Sequence, residues 1–260
     1  MYKTLGVRWL LECFCPASAF ATADSDEARN PQRFIHVTVI RQQMKSDLMK
    51  KLSIYLLLIL LTALSCKTND INSKKYIYYL HGRIIEIQGK NAVSEEFGKY
   101  EFDEIVNALR VPNSEVIAEV RTENVDYLNY ANKVSKQIDS LIKKGTAARN
   151  ITVVGASKGA IIASNISHIN HNPINYVLLA GNNDYQEQHN EWKFHGQVLC
   201  FYDDSDNIAG KNYNFWKSRE NFTTKFEQIK VDKNLGHGFL YKPYKEWIEP
   251  TKKWVLKQKL

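Results

Sequence analysis

Asn150-Ile151-Thr152-Val153-Val154-Gly155-Ala156-Ser157-Lys158-Gly159-Ala160 is the stretch around which the chain is organised. Ile151 to Val154 is a short, β-branched apolar run, which reads as a buried strand. It enters Gly-x-Ser-x-Gly directly, and Ala160-Ile161-Ile162-Ala163-Ser164 continues as a helix. Strand, sharp turn and helix form the context that a nucleophile elbow requires. The turn forces Ser157 into a strained backbone conformation. Larger residues at positions 155 and 159 would collide with the flanking strand and helix. The serine oxygen is then expected at the carboxyl edge of a sheet, with the free N–H groups of the following helix aimed at the same spot.

Outward from this stretch, β-rich segments alternate with helical ones. Lys75 to Leu80, Glu115 to Val120, Ile174 to Ala180 and Gln197 to Tyr202 read as strands, and Lys225 to Val231 as a more exposed one. A helix carrying Ile105 and Leu109 follows the first strand. Val125 to Lys144 has apolar residues close to a 3.6 period and Gly145 as its stop. Tyr244 to Leu256 closes the domain as a helix. Such alternation predicts an α/β fold, a mostly parallel sheet of about six strands with helices on both faces. Ligands in these sheets bind beyond the carboxyl ends of the strands. Too few residues separate the strands near 180 and 197 for a large lid.

The chemistry gathers at those strand ends. A serine hydroxyl needs a base to take its proton. His237, between glycines in Asn234-Leu235-Gly236-His237-Gly238-Phe239, follows the last strand and is free to swing toward Ser157. An acid must hold the imidazole in one tautomer. Asp203-Asp204-Ser205-Asp206 follows the strand ending at Tyr202, and the reach needed to cross to the histidine favours Asp206 over Asp203 and Asp204. His168 and His171 read as helix-end histidines rather than metal ligands. His189 and His195 flank Trp192 and are placed to line a pocket; Arg83, Glu86 and Lys158 are further residues for contact with substrate. No cofactor and no metal are expected.

The order Ser157, Asp206, His237, with the elbow and Gly-His-Gly-Phe, resembles the α/β-hydrolase superfamily from His81 to His237. The resemblance implies acyl transfer to water through an acyl-serine, with an ester as the leading substrate class and amide or peptide bonds next; the rival readings are a non-catalytic binding lipoprotein of the same fold and an acyltransferase that uses the same residues. The resemblance also implies an oxyanion hole from the Lys158 N–H and an N–H just after the first strand. That second donor is Gly82 or Arg83, since His81-Gly82-Arg83 departs from the longer His-Gly-Gly-Gly type.

The chain has 260 residues and a net charge of +7. Removing the eight Lys/Arg and five Asp/Glu before Cys66 leaves 27 against 23, a dispersed balance that makes no case for nucleic acid. Met49-Lys50-Lys51, the apolar Leu52 to Leu64, and Ser65-Cys66 have signal-peptide architecture. The ending resembles a bacterial lipoprotein signal with a lipidated Cys66, although Ala63 stands where such signals usually carry Leu. The apolar run is short for a span, which needs about 20 residues. Residues 1–48 are accordingly read as a disordered upstream extension, with the true start near Met49. Residues 49–65 read as signal, 66–74 as tether and 75–260 as the folded domain, which the lipid would hold at a membrane of the envelope. Of the four cysteines only Cys200 remains inside the domain, as a small core hydrophobe.

Overall fold

The computed structural model describes residues 39, 42–56 and 73–260. The chain divides into two units, Met1–Thr68 and Asn69–Leu260. In the first unit, residues 42–56 are helical. The expected disorder up to residue 48 is thus corrected at its end. Met44, Leu48 and Leu52 recur every fourth residue among strong helix formers, and helix continues into the start of the apolar run. No helix among the described residues is long and apolar enough to cross a membrane. The rest of that run, Cys66 and most of the tether lie outside the described residues.

The second unit is built on six parallel strands: β1 (Lys75–Leu80), β4 (Ser114–Ile117), β5 (Ile151–Ala156), β6 (Asn175–Leu179), β7 (His195–Tyr202) and β8 (Phe222–Lys230). Their spatial order is β4-β1-β5-β6-β7-β8. The remaining strands, β2 (Val93–Ser94) and β3 (Gly98–Lys99), form a small antiparallel hairpin. Helices are α1 (Arg83–Gln88), α2 (Phe102–Ala108), α3 (Tyr127–Lys143), α4 (Lys158–Ile169), α5 (Asp184–His189), α6 (Asn214–Ser218) and α7 (Lys245–Val255).

Period-two alternation along each buried strand sorts two cores onto opposite faces. Ile77, Tyr79, Val154, Leu179 and Phe201 pack with Ile85 of α1, Phe102 and Ile105 of α2, and Trp247 and Trp254 of α7. Tyr78, Leu80, Val153, Leu178 and Cys200 pack with Val134 and Ile138 of α3, Ile162 and Ile166 of α4, and Trp216 of α6. This is the α/β-hydrolase fold, with only the short α5 between β6 and β7.

The topology also chooses the place for a site. From β1 the chain crosses to β4 on one side, then returns past β1 to β5 on the other. The crevice where connections diverge opens between the carboxyl ends of β1 and β5. One strand ends earlier than the sequence suggests: β4 leaves the ladder after Ile117 rather than Val120. The three residues released carry the chain over the end of β1, where Arg121 becomes buried.

Candidate active site

Ser157 stands between β5 and α4 with φ 54° and ψ −118°. A non-glycine residue at positive φ is strained and persists only where its surroundings dictate it. Here they do. A Cβ on Gly159 would overlap the Leu80 carbonyl oxygen, and one on Gly155 would overlap the Gly159 carbonyl. Only two glycines let α4 start this close to both strands. The Ser157 N–H donates to the Leu179 carbonyl at 2.9 Å, which locks the turn onto β6.

His237 lies on a 3-10 turn, Gly236–Leu240, after β8. Its Nε2 is 2.9 Å from Ser157 Oγ and its Nδ1 is 2.7 Å from Asp206 Oδ2. A carboxylate only accepts, so Nδ1–H donates to Asp206 and Nε2 is left to accept from the serine hydroxyl. The expectation of a histidine free to swing is corrected. His237 is buried, and the Phe97 ring of the β2–β3 hairpin packs 6.4 Å from it, centre to centre. Gly238 is required for this, since a Cβ there would lie 2.9 Å from the Phe97 ring.

Asp206 is seated from the other side. Its Oδ1 accepts N–H bonds from Ile208 at 2.8 Å and Ala209 at 3.1 Å. Burial works to raise its pKa, but the hydrogen bond and charge of His237, with the two backbone donors, outweigh burial and hold it below the usual carboxylate range. Asp203 and Asp204 do other work. Asp203 Oδ1 accepts from the Ser205 N–H at 2.9 Å and hydroxyl at 2.6 Å, fixing the turn that presents Asp206. Asp204 pairs with Lys230 at the surface.

The first turns of two helices converge on the serine. α4 begins at Lys158 and α1 at Arg83, and a Cβ on Gly82 would lie 3.6 Å from Ser157 Cβ. First-turn N–H groups have no partners within their own helix. Lys158, Gly82 and Arg83 are therefore grouped beside Ser157. The Arg83 side chain is exposed.

A buried polar cluster beneath these turns is the part that sequence reading missed. Arg121 Nε donates to Glu86 Oε1 at 2.7 Å, and Lys158 Nζ donates to Glu86 Oε2 at 2.5 Å. The Arg121 backbone N–H donates to His81 Nε2 at 2.9 Å, its Nη2 donates to the His81 carbonyl, and His81 Nδ1–H donates to the Gly82 carbonyl at 2.8 Å. Burial first, and the Arg121 charge second, push the His81 pKa down to about 4, so the ring is neutral.

His168, His189 and His195 take no part in this relay. His168 lies in the last turn of α4, about 15 Å along the helix from Lys158 at 1.5 Å per residue. His195, expected to line the pocket, begins β7 at the opposite sheet edge and stacks between His171 and Phe222. His189 stacks on Tyr185. Among the described residues, no group of three or more His, Cys, Asp or Glu could hold a metal ion. Cys200 is buried and unbridged.

No protein-family model matches the chain, and no curated protein matches it. Several solved structures are similar to it. Arabidopsis thaliana SOBER1 is 14% identical with a TM-score of 0.49, over 71% of this chain and 99% of that one. XC6422 from Xanthomonas campestris, described as an α/β serine hydrolase without lid, is 12% identical with a TM-score of 0.49, over 73% and 85%. A lipase-esterase related protein from Clostridium acetobutylicum is 14% identical with a TM-score of 0.47, over 70% and 95%.

Proposed function

We propose that the chain is a serine hydrolase that cleaves an ester through an acyl-Ser157 intermediate. The observation that carries this reading is the relay from Ser157 Oγ to His237 Nε2 at 2.9 Å and from Nδ1 to Asp206 Oδ2 at 2.7 Å, behind a strained serine. As Oγ attacks the ester carbonyl carbon, its proton passes to Nε2, and Asp206 stabilises the resulting imidazolium. The negative charge moves to the carbonyl oxygen, facing the N–H groups of Lys158 and of Gly82 or Arg83. Collapse breaks the bond to the leaving alkoxide, which takes the proton from Nε2. Water then repeats the cycle on the acyl-serine and releases the acid.

A serine-directed fluorophosphonate and a panel of esters test the reading. Wild type is labelled and turns over; Ser157→Ala does neither, and its melting temperature stays within a few degrees. Undiminished hydrolysis by Ser157→Ala would overturn it. We also propose that the enzyme is held in a bacterial envelope through a lipidated Cys66, a reading supported by the basic start, apolar run and Ser65-Cys66 ending of the Met49 to Cys66 segment. Several acyl chains are needed for stable attachment, because one gives only marginal binding. Mass spectrometry of protein extracted from native membranes should find a chain beginning at acylated Cys66, and Cys66→Ser should abolish the adduct. A mature chain retaining residues before Cys66 would refute the anchor.

A further inference from the structure

Two backbone segments supply the N–H groups beside Ser157, and no sheet hydrogen bond can set the distance between them. Lys158 follows β5, whereas Gly82 and Arg83 follow β1, and the parallel ladder of these strands ends at Leu80 and Gly155. Beyond that pair each segment turns into its own helix. What joins the helices is one carboxylate. Glu86, in the first turn of α1, takes Lys158 of α4 on Oε2 and Arg121 on Oε1. Arg121 in turn grips the residue before Gly82, through both the ring and the carbonyl of His81. Gly82 thus lies between two residues held by the same guanidinium group.

Two of the three charged side chains are fully buried, and the cluster carries net charge. The side chains of Arg121 and Glu86 are 0% and 1% exposed, and Lys158 is 20% exposed. Two cations face one carboxylate, and the neutral His81 adds nothing. A surplus positive charge therefore sits at two converging helix N-termini, where the field of each helix already favours an anion.

We infer that Glu86, Arg121 and the Lys158 side chain are positioning residues for the oxyanion hole: the shared carboxylate fixes the spacing of its two N–H donors. This inference rests on the serine-hydrolase reading. A misplaced donor weakens the transition state far more than the bound ester, because charge develops on the carbonyl oxygen only during attack. The signature is a loss in kcat without a matching rise in KM.

The test compares wild type with Lys158→Met and Glu86→Gln, and with both together. Lys158→Met keeps the backbone N–H and removes a partly exposed amine, so folding survives even where Glu86→Gln is unstable. Each single variant should lower kcat about 10- to 100-fold, short of the loss of a whole donor, with KM within about threefold. Affinity for a trifluoromethyl ketone, which forms a serine hemiketal oxyanion, should fall by the same factor as kcat. The double variant should be little worse than either single one, since both break one tie. Lys193→Met, which removes only a surface pair with Glu220, should leave these values at wild type. Wild-type kcat in Lys158→Met, or ketone affinity unchanged while only the melting temperature falls, would overturn the inference. Were wild type itself unlabelled by fluorophosphonate, the hydrolase reading would fail and take this inference with it. Wild type labelled alongside equally active variants would sink the inference alone.

Discussion

Replacing Asp206 by Asn should nearly abolish turnover, and the hydrogen bonds around the carboxylate say why. Oδ1 accepts from two backbone N–H groups, those of Ile208 and Ala209, and so must stay an oxygen. The new amide NH₂ is then forced toward His237, where Oδ2 now accepts from Nδ1–H at 2.7 Å. Two donors cannot face each other, so the imidazole adopts the other tautomer, with Nδ1 accepting and Nε2 carrying the proton. Nε2 then faces Ser157 Oγ with a hydrogen and cannot receive another. A wrong tautomer in such a relay lowers kcat by about 10⁴, or about 5 kcal/mol of barrier. The neighbouring acids supply the controls. Asp203→Asn can keep an oxygen toward Ser205 and should retain activity within about tenfold, a loss of about 1.4 kcal/mol. Asp204→Asn loses only a surface pair with Lys230, which is worth about 0–1 kcal/mol in stability. The assay is kcat/KM on an ester across pH 5 to 9, about two units to either side of neutral, with thermal unfolding of each variant in parallel. Asp206→Asn within tenfold of wild type, or Asp203→Asn as damaging as Asp206→Asn, would refute the reasoning.

Stability should also fall in mild acid, because of His81. Its folded pKa of about 4 lies below the ordinary 6.5, so the unfolded chain binds more protons between those values. Stability is therefore complete above the unfolded pKa and declines as pH drops toward the folded one, by about 3 kcal/mol for this group. Urea unfolding at intervals from pH 7 to pH 4 should show the decline, and His81→Gln should remove that share of it; parallel curves for the two proteins would contradict the assignment. Gly159→Ala should cost about 3 kcal/mol or more, since the methyl group overlaps the Leu80 carbonyl, a backbone atom that cannot step aside. An unchanged urea midpoint would contradict the close approach of α4 to β1.

The parts legible in the sequence are those whose cause is local. β-branched runs become β5 and β6, the 3.6 period from Val125 becomes α3, and Gly145 stops that helix at φ 96°. The order serine, aspartate, histidine is readable because each follows a strand whose end is itself readable. α1 was not legible. It starts with only two residues between it and β1, has no side-chain cap, and carries Ile84, Ile85 and Ile87, which favour strand as much as helix. The held state of His237 was missed because Phe97, which covers it, comes from a hairpin 140 residues earlier in the chain, invisible to any window around Gly-His-Gly. His195 was misplaced for the opposite reason: Trp192 beside it is buried in the core against Asn165, so the segment enters β7 from the far edge of the sheet.

Arg121 is the clearest case of a cause that no local pattern carries. In the sequence it is one cation after an apolar run. In the fold it reaches Glu86, 35 positions away, and His81, 40 positions away. Stability alone is a poor reason for such a cluster. Removing two charges from water costs several kcal/mol per ion, and apolar residues of the same volume often serve a core as well or better. The cost recurs here, since Arg121 Nη1 is buried without a hydrogen-bond partner among the described residues. A buried charge network does offer what apolar packing cannot, a directional tie between two backbone segments that leave the sheet separately. β4 gives up Ala118 to Val120 to bring Arg121 into that position, and the tie lands on the two helix turns that flank Ser157. Position rather than stability is thus the property that this cluster is built to supply.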